Sequence, residues 1–384
     1  MYTIKLPEIN NQLIPHTLTE HIIEEPKTTK FNRNVFAAAH VVANPLSQED
    51  PLTTCSIDWD KTLAYRRYLS KLGLGIAEAM DTAQRGMGLD WDNALELIRL
   101  TVNEINDVPV FSGIGTDHLD LSENIKKEDI IDAYLFQLDA IQSIGGRAVI
   151  MASRAITALN CKSKDYLDIY NNVLSHCDQP VIIHWLGDMF DPQLKGYWGQ
   201  DNFEDSKEVC LQVISENQEI IDGIKISLLN KNYEIQLRNL LPDKVRMYTG
   251  DDFNYPELIS GDMYGYSDAL LGIFDPIALA AAAALEALTL GDIDQFHKIL
   301  GPTVPLSKLI FSNPTKFYKT GIVFLAWINN HQDHFVMLEG QQSSRPLIYF
   351  SSVFKLADTS GLLLDPEKAV YRMKKLLSIY GIEQ

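Results

Sequence analysis

Short apolar runs alternate with longer helix-forming segments between residues 35 and 290, and this alternation leaves the chain very few folds. The runs span 35–42, 75–80, 108–112, 147–152, 180–185, 220–226, 245–249 and 267–273. They are β-branched, nearly free of charge and short, which reads as strands buried on both faces. The segments between them, 56–73, 90–106, 127–144, 164–177, 204–217, 233–241, 255–260 and 276–290, read as helices. Ser56-Ile-Asp-Trp-Asp supplies the capping residues that start the first of them. A strand followed by a helix and another strand makes a parallel pair, because only a crossover can return the chain to the same end. Eight such units predict an α/β chain folded as a (β/α)8 barrel. A doubly wound open sheet is the alternative, but no glycine-rich phosphate loop follows the first strand. The barrel is expected over 31–291. Residues 1–30, with Pro7, Pro15 and Pro26 and little periodicity, read as a surface arm. Residues 292–384 read as a helical extension, with helices at 316–329 and 366–380 and a polar connection at 331–344.

Composition narrows the function. The formal charge is −18, which disfavours nucleic acid and anionic membrane as partners. An anionic substrate would need a local cationic group. The most apolar stretch, 276–290, is too short to cross a bilayer, and the N-terminus has no apolar signal core. A cytoplasmic protein is expected. Cys55, Cys161, Cys177 and Cys210 form no CxxC pair and no Cys/His cluster, so they read as reduced packing residues. No cofactor and no metal are expected.

One strand carries an unusual residue. Ile221-Asp-Gly-Ile-Lys-Ile-Ser227 alternates so that Ile224 and Ile226 face one way, and Gly223, Lys225 and Ser227 the other. A lysine in a buried strand must be neutral, paired or reaching solvent. A neutral buried amine is a nucleophile towards carbonyls. Lys225 falls near the C-terminal end of the sixth strand, where barrel active sites lie.

Further residues in chain order carry a family likeness. They are Gly113-Ile114-Gly115-Thr116 after strand three, Gly223-Ile224-Lys225 with Ser227 on strand six, and Thr249-Gly250-Asp251-Asp252 after strand seven. Gly291-Asp292, Asn313-Pro314-Thr315-Lys316 and Arg345-Pro346-Leu347 follow. In this order they resemble the dihydrodipicolinate synthase / N-acetylneuraminate lyase superfamily, as a divergent branch. The resemblance implies Schiff-base chemistry at Lys225 on a small carbonyl substrate, with a sugar-derived oxo acid favoured, and a homo-oligomer, dimer or tetramer. Three positions depart from the family pattern. His184 stands where the family has a strand-five tyrosine. Asp81-Thr82 stands where it has the paired threonines that hold a carboxylate, and Ala152-Ser153-Arg154 where it has Tyr-Tyr. These departures argue against ordinary dihydrodipicolinate synthesis.

The candidate catalytic pair is therefore Lys225 and His184, the imidazole moving protons beside the amine. Candidate substrate-binding residues are Asp81, Thr82, Gly113, Arg154, Ser227, Asp251 and Asp252. Asp81 is equally readable as a helix cap, one of Asp251 and Asp252 is favoured as a cap of the next helix, and Arg154 is readable as a solvated loop residue. The glycine- and aromatic-containing loop 188–203 reads as a lid or a subunit contact. Two other readings stand beside the lyase. One is a metal-dependent barrel isomerase or aldolase drawing on His40, Glu78, Asp81, Asp251 and His184. The other is a catalytically silent barrel with a binding role, which predicts a salt-bridged Lys225.

Overall fold

A computed structural model describes residues 2–9, 12–19, 21, 23–122 and 124–384. The strands are β1 (Thr3–Pro7), β2 (Leu13–Thr17), β3 (Val35–Ala38), β4 (Gly75–Glu78), β5 (Val110–Ile114), β6 (Arg147–Ile150), β7 (Val181–Leu186), β8 (Ile221–Ser227), β9 (Arg246–Thr249) and β10 (Asp268–Leu271). β3 to β10 are parallel neighbours in order, and β10 pairs back onto β3, closing an eight-stranded barrel. Helices lie between the strands, so the fold is the (β/α)8 barrel that the alternation predicts.

The helices start where short polar side chains can accept from free backbone N–H groups. Asp58 accepts from Lys61 N at the head of Trp59–Lys71, Asp90 from Asn93 N ahead of Trp91–Glu104, and Asn202 from Asp205 N ahead of Phe203–Glu216. Asn230 does the same for Lys231–Arg238, so that helix begins two residues before its expected start. β5 begins at Val110 rather than at 108, and Gly113 lies within it rather than in the turn beyond. Pro109 has no N–H for the ladder, and its carbonyl accepts from Ile76 N.

Inside the barrel, Phe36, Phe111, Val149, Ile182, Tyr248 and Leu270 fill the axis. Gly223 makes room for this layer, since a Cβ there would lie 2.6 Å from the Tyr248 ring. Outside it, Ile224, Ile226, Ile183 and Trp185 pack beneath the helices. The floor under the C-terminal mouth is thus solid.

The N-terminal stretch has more order than its sequence suggests. β1 and β2 form an antiparallel hairpin, with Ile4 and Leu6 buried. Thr19 N and Thr19 Oγ1 both bond Asp358 of the helix Leu347–Thr359, tying this segment to the C-terminal region. In that region the helix Tyr318–Ile328 is buried along its whole length. It is shorter than the expected 316–329 because residues 315–317 form a 3-10 turn. None of the helices among the described residues is long and apolar enough to cross a membrane.

Candidate active site

β7 and β8 set the centre of the site. Their parallel register places His184 beside Lys225 and Leu186 beside Ser227. The His184 imidazole Nε2 lies 3.2 Å from Ser227 Oγ, while Nδ1 has no partner among the described residues. Lys225 is 8% exposed. Among the described residues it makes no ion pair and no side-chain hydrogen bond. Burial lowers its pKa, against the opposing pull of Asp252 and then Asp81. Burial, and then the Lys225 charge, holds the His184 pKa well below the ordinary histidine value, so its ring is neutral at physiological pH.

The loop after β9 presses on the lysine. A Cβ on Gly250 would lie 2.2 Å from Ser227 Oγ and 2.9 Å from Lys225 Cε, so only glycine fits there without moving both. The two aspartates that follow have separate tasks. Asp251 accepts from the backbone N of Phe253 and Asn254 and from Asn254 Nδ2, which shapes the turn into the helix Tyr255–Ser260. Asp252 faces Lys225 and accepts from Ile273 N at 2.9 Å. Its pKa is pushed up to about 7, chiefly by burial.

A third component comes from the C-terminal helices. Tyr318 OH lies 2.9 Å from Thr82 Oγ1, and Phe311 stacks on the Tyr318 ring at 4.4 Å. Arg345 holds the turn that delivers them, donating to Ser312 O at 2.7 Å and Pro314 O at 3.0 Å. Burial raises the Tyr318 phenol well above its usual pKa, so it stays protonated. Phe190, from the loop after β7, lies edge-on to both rings.

These groups enclose a cavity at Lys225 lined by Asp81, Thr82, Ser227, Asp252, Phe190 and Tyr318 among others. Its volume of about 20 Å³ is roughly what one water occupies. A second cavity of about 260 Å³ adjoins it, sharing Asp81 and Leu186 and adding His184, Ser153 and Arg154. Two open grooves of about 640 and 710 Å³ are not lined by Lys225, and the first of them meets the second cavity at Gly86 and Asp117.

The candidates of the sequence reading therefore separate. Lys225, His184, Asp81, Thr82, Ser227 and Asp252 converge. Arg154 lines the second cavity, but its guanidinium is paired with Asp191. Gly113 lies in neither wall; its carbonyl accepts from Arg85, and a Cβ would lie 2.9 Å from Met151 Sδ. The suggested metal ligands do not form one set: Glu78 is bound by Arg66 and Thr101 away from the cavity, and His40 Nδ1 lies 2.7 Å from Asp275 Oδ2. No three metal-ligating side chains converge among the described residues. In loop 188–203, Tyr197 and Trp198 are buried against Tyr166 and Tyr170 of the chain itself, leaving the Phe190 end over Lys225. Tyr318, Phe311 and Arg85 carried no local signal in the sequence, whereas Phe190 belongs to the aromatic loop read there as a lid or a subunit contact.

Residues 4–382 match one family along nearly the whole chain. The chain belongs to the DUF993 family, described as "Protein of unknown function (DUF993)". No curated protein matches the sequence significantly. The fold of this DUF993 protein is similar to solved dihydrodipicolinate synthases. The Thermotoga maritima enzyme aligns with a TM-score of 0.64 at 12% identity, over 87% of this chain and 100% of that one. The Aquifex aeolicus enzyme gives 0.61 at 13% identity, over 91% and 98%. The Acinetobacter baumannii enzyme, solved with pyruvate, gives 0.62 at 15% identity, over 87% and 100%. At such identities the likeness establishes the fold.

Proposed function

We propose that this DUF993 protein is a class I lyase or aldolase that forms a Schiff base between Lys225 and a small oxo compound. The observation that carries the reading is Lys225 itself: an inward, buried amine at the C-terminal end of a barrel strand, with a lowered pKa and no ion-pair partner among the described residues. A structural lysine in a silent barrel would hold a salt bridge. Here Asp252 and Asp81 favour the ammonium less than burial disfavours it, and no carboxylate among the described residues is within ion-pair distance of the amine.

In this reading the Lys225 amine adds to the carbonyl carbon, and the carbonyl oxygen leaves as water. The resulting iminium draws the electron pair of the bond between the α and β carbons as the β-hydroxyl loses its proton. This leaves a carbonyl product and an enamine, which is protonated at the α carbon before water hydrolyses the iminium. Neutral His184 accepts a proton, and the protonated phenol of Tyr318 donates one. Ser227 orients the imidazole. Phe190 excludes water from the imine and must swing aside to admit substrate, since the closed cavity is too small for one.

The test is a screen of oxo compounds in the presence of borohydride, with mass spectrometry of the peptide that contains Lys225. A mass increment on that peptide supports the reading, and a verified substrate that turns over without ever marking Lys225 removes it. Tyr318→Phe should keep the fold, because the ring and its stacking on Phe311 remain. It should slow turnover by about 10²–10⁴, the usual contribution of one acid–base group, while trapping at Lys225 persists. Steady-state rates and trapping yield, measured side by side, separate these outcomes.

A further inference from the structure

We infer that the substrate of this site is a neutral polyhydroxylated aldehyde or ketone, and that Asp81 and His184 bind its hydroxyl groups. The inference rests on the Schiff-base reading and departs from the oxo acid expected of the sequence.

The cations around the two cavities are already engaged. Arg85 places Nε and Nη2 on the two Asp117 oxygens at 2.7 and 2.8 Å, and Arg154 is paired with Asp191. Lys319, buried one residue beyond Tyr318, lines neither cavity; it contacts Met87 Sδ and Lys316 O, and the carboxylate acting most on it is Asp81. On the cavity walls themselves the remaining cation is Lys225, which in this reading is the reacting group and already faces Asp252 and Asp81. A carboxylate on the carbon beside the carbonyl would therefore meet the carboxylate of Asp81 with no free cation on the cavity walls to neutralise it.

The same walls offer unfilled acceptors. Asp81 lines both cavities, and among the described residues its carboxylate has no hydrogen bond or ion pair. His184 is 1% exposed, lines the larger cavity, and leaves Nδ1 without a partner among the described residues. A buried polar atom without a partner in the free protein is costly, which points to a ligand group that satisfies it. A hydroxyl does so whichever ring nitrogen of the neutral imidazole carries the proton, because it both donates and accepts. A carboxylate only accepts, and Asp81 has nothing to donate to it. The larger cavity, with Thr116 and Ser153 on its wall, has room to extend the hydroxylated chain away from Lys225.

The experiment is competitive trapping. Wild-type protein is mixed with equimolar dihydroxyacetone, D-glyceraldehyde, pyruvate and glyoxylate, borohydride reduces any imine, and the adducts on the Lys225 peptide are weighed. The expected result is a neutral adduct at least tenfold above the oxo-acid adducts, with that ratio falling at least tenfold in Asp81→Thr. Asp81→Asn, which keeps the side-chain shape, gives the same readout if the threonine variant fails to fold. Preferential oxo-acid adducts, or a ratio unmoved in both variants, overturn the neutral assignment and leave the Schiff-base reading standing. No adduct at Lys225 from either class overturns both.

Discussion

Lys225→Ala should reduce turnover of the true substrate by on the order of 10⁴–10⁶, the scale on which loss of an enzymic nucleophile is felt. It should also erase the borohydride adduct while leaving the barrel folded. Alanine fits the strand, and removing the lysine relieves the cost of a buried amine. The pH profile gives a finer test. The amine attacks only when neutral, so imine formation should rise with pH through the pKa of Lys225. Burial holds that pKa below the usual lysine value, so the rise should level off earlier than for an exposed lysine of about 10.4. Asp252 stabilises the ammonium. Asp252→Asn should therefore move the acid limb further towards low pH. A limb that moves the other way would show that Asp252 acts on the substrate rather than on Lys225.

The largest effect on stability should come from Arg66→Met. Arg66 and Glu78 are both fully buried beneath the helices. Two guanidinium nitrogens lie 2.7 and 2.9 Å from the carboxylate, which also accepts from Thr101 Oγ1 and Ala79 N. Removing the arginine strands a desolvated carboxylate, which costs about 3–5 kcal/mol. Replacing both partners, as Arg66→Met with Glu78→Leu, removes the uncompensated charge and should recover much of that loss. Urea unfolding midpoints at constant slope measure both variants. A single variant as stable as the wild type would show that water reaches Glu78 once the arginine is gone. Neither residue lines the Lys225 cavity, so the double variant should also keep its trapping yield.

Eight strand–helix units are legible in the sequence because their signals are local. A parallel strand covered on both faces must be apolar throughout, and a helix start needs a capping side chain within a few residues of the N–H it satisfies. The same local logic placed Lys225, since the alternation of β8 depends only on its own residues and the barrel rule puts chemistry at the strand's C-terminal end. His184 followed from the alternation of β7, and its register with Lys225 follows from strand order. Where a local signal was shared with a neighbour it failed by a residue or two, as at Pro109 and Asn230.

Tertiary structure decided what surrounds the lysine. Tyr318 reaches Thr82 across 236 positions, and no periodicity near either residue announces the contact. The same holds for Thr19 and Asp358, 339 positions apart, which bind the N-terminal segment to the C-terminal helices. Arg154 and Glu78 both looked available for a ligand. Asp191 and Arg66 occupy them instead, each being the opposite charge that packing brings nearest, at an exposed position for Arg154 and in the buried interior for Glu78. The sequence by itself therefore determined the barrel and the position of its buried inward lysine, through patterns that span a few residues. Which phenol, aromatic cover and carboxylates face that amine was settled only by packing between segments far apart in the chain, where complementary shape and paired charge, rather than local propensity, set the free energy.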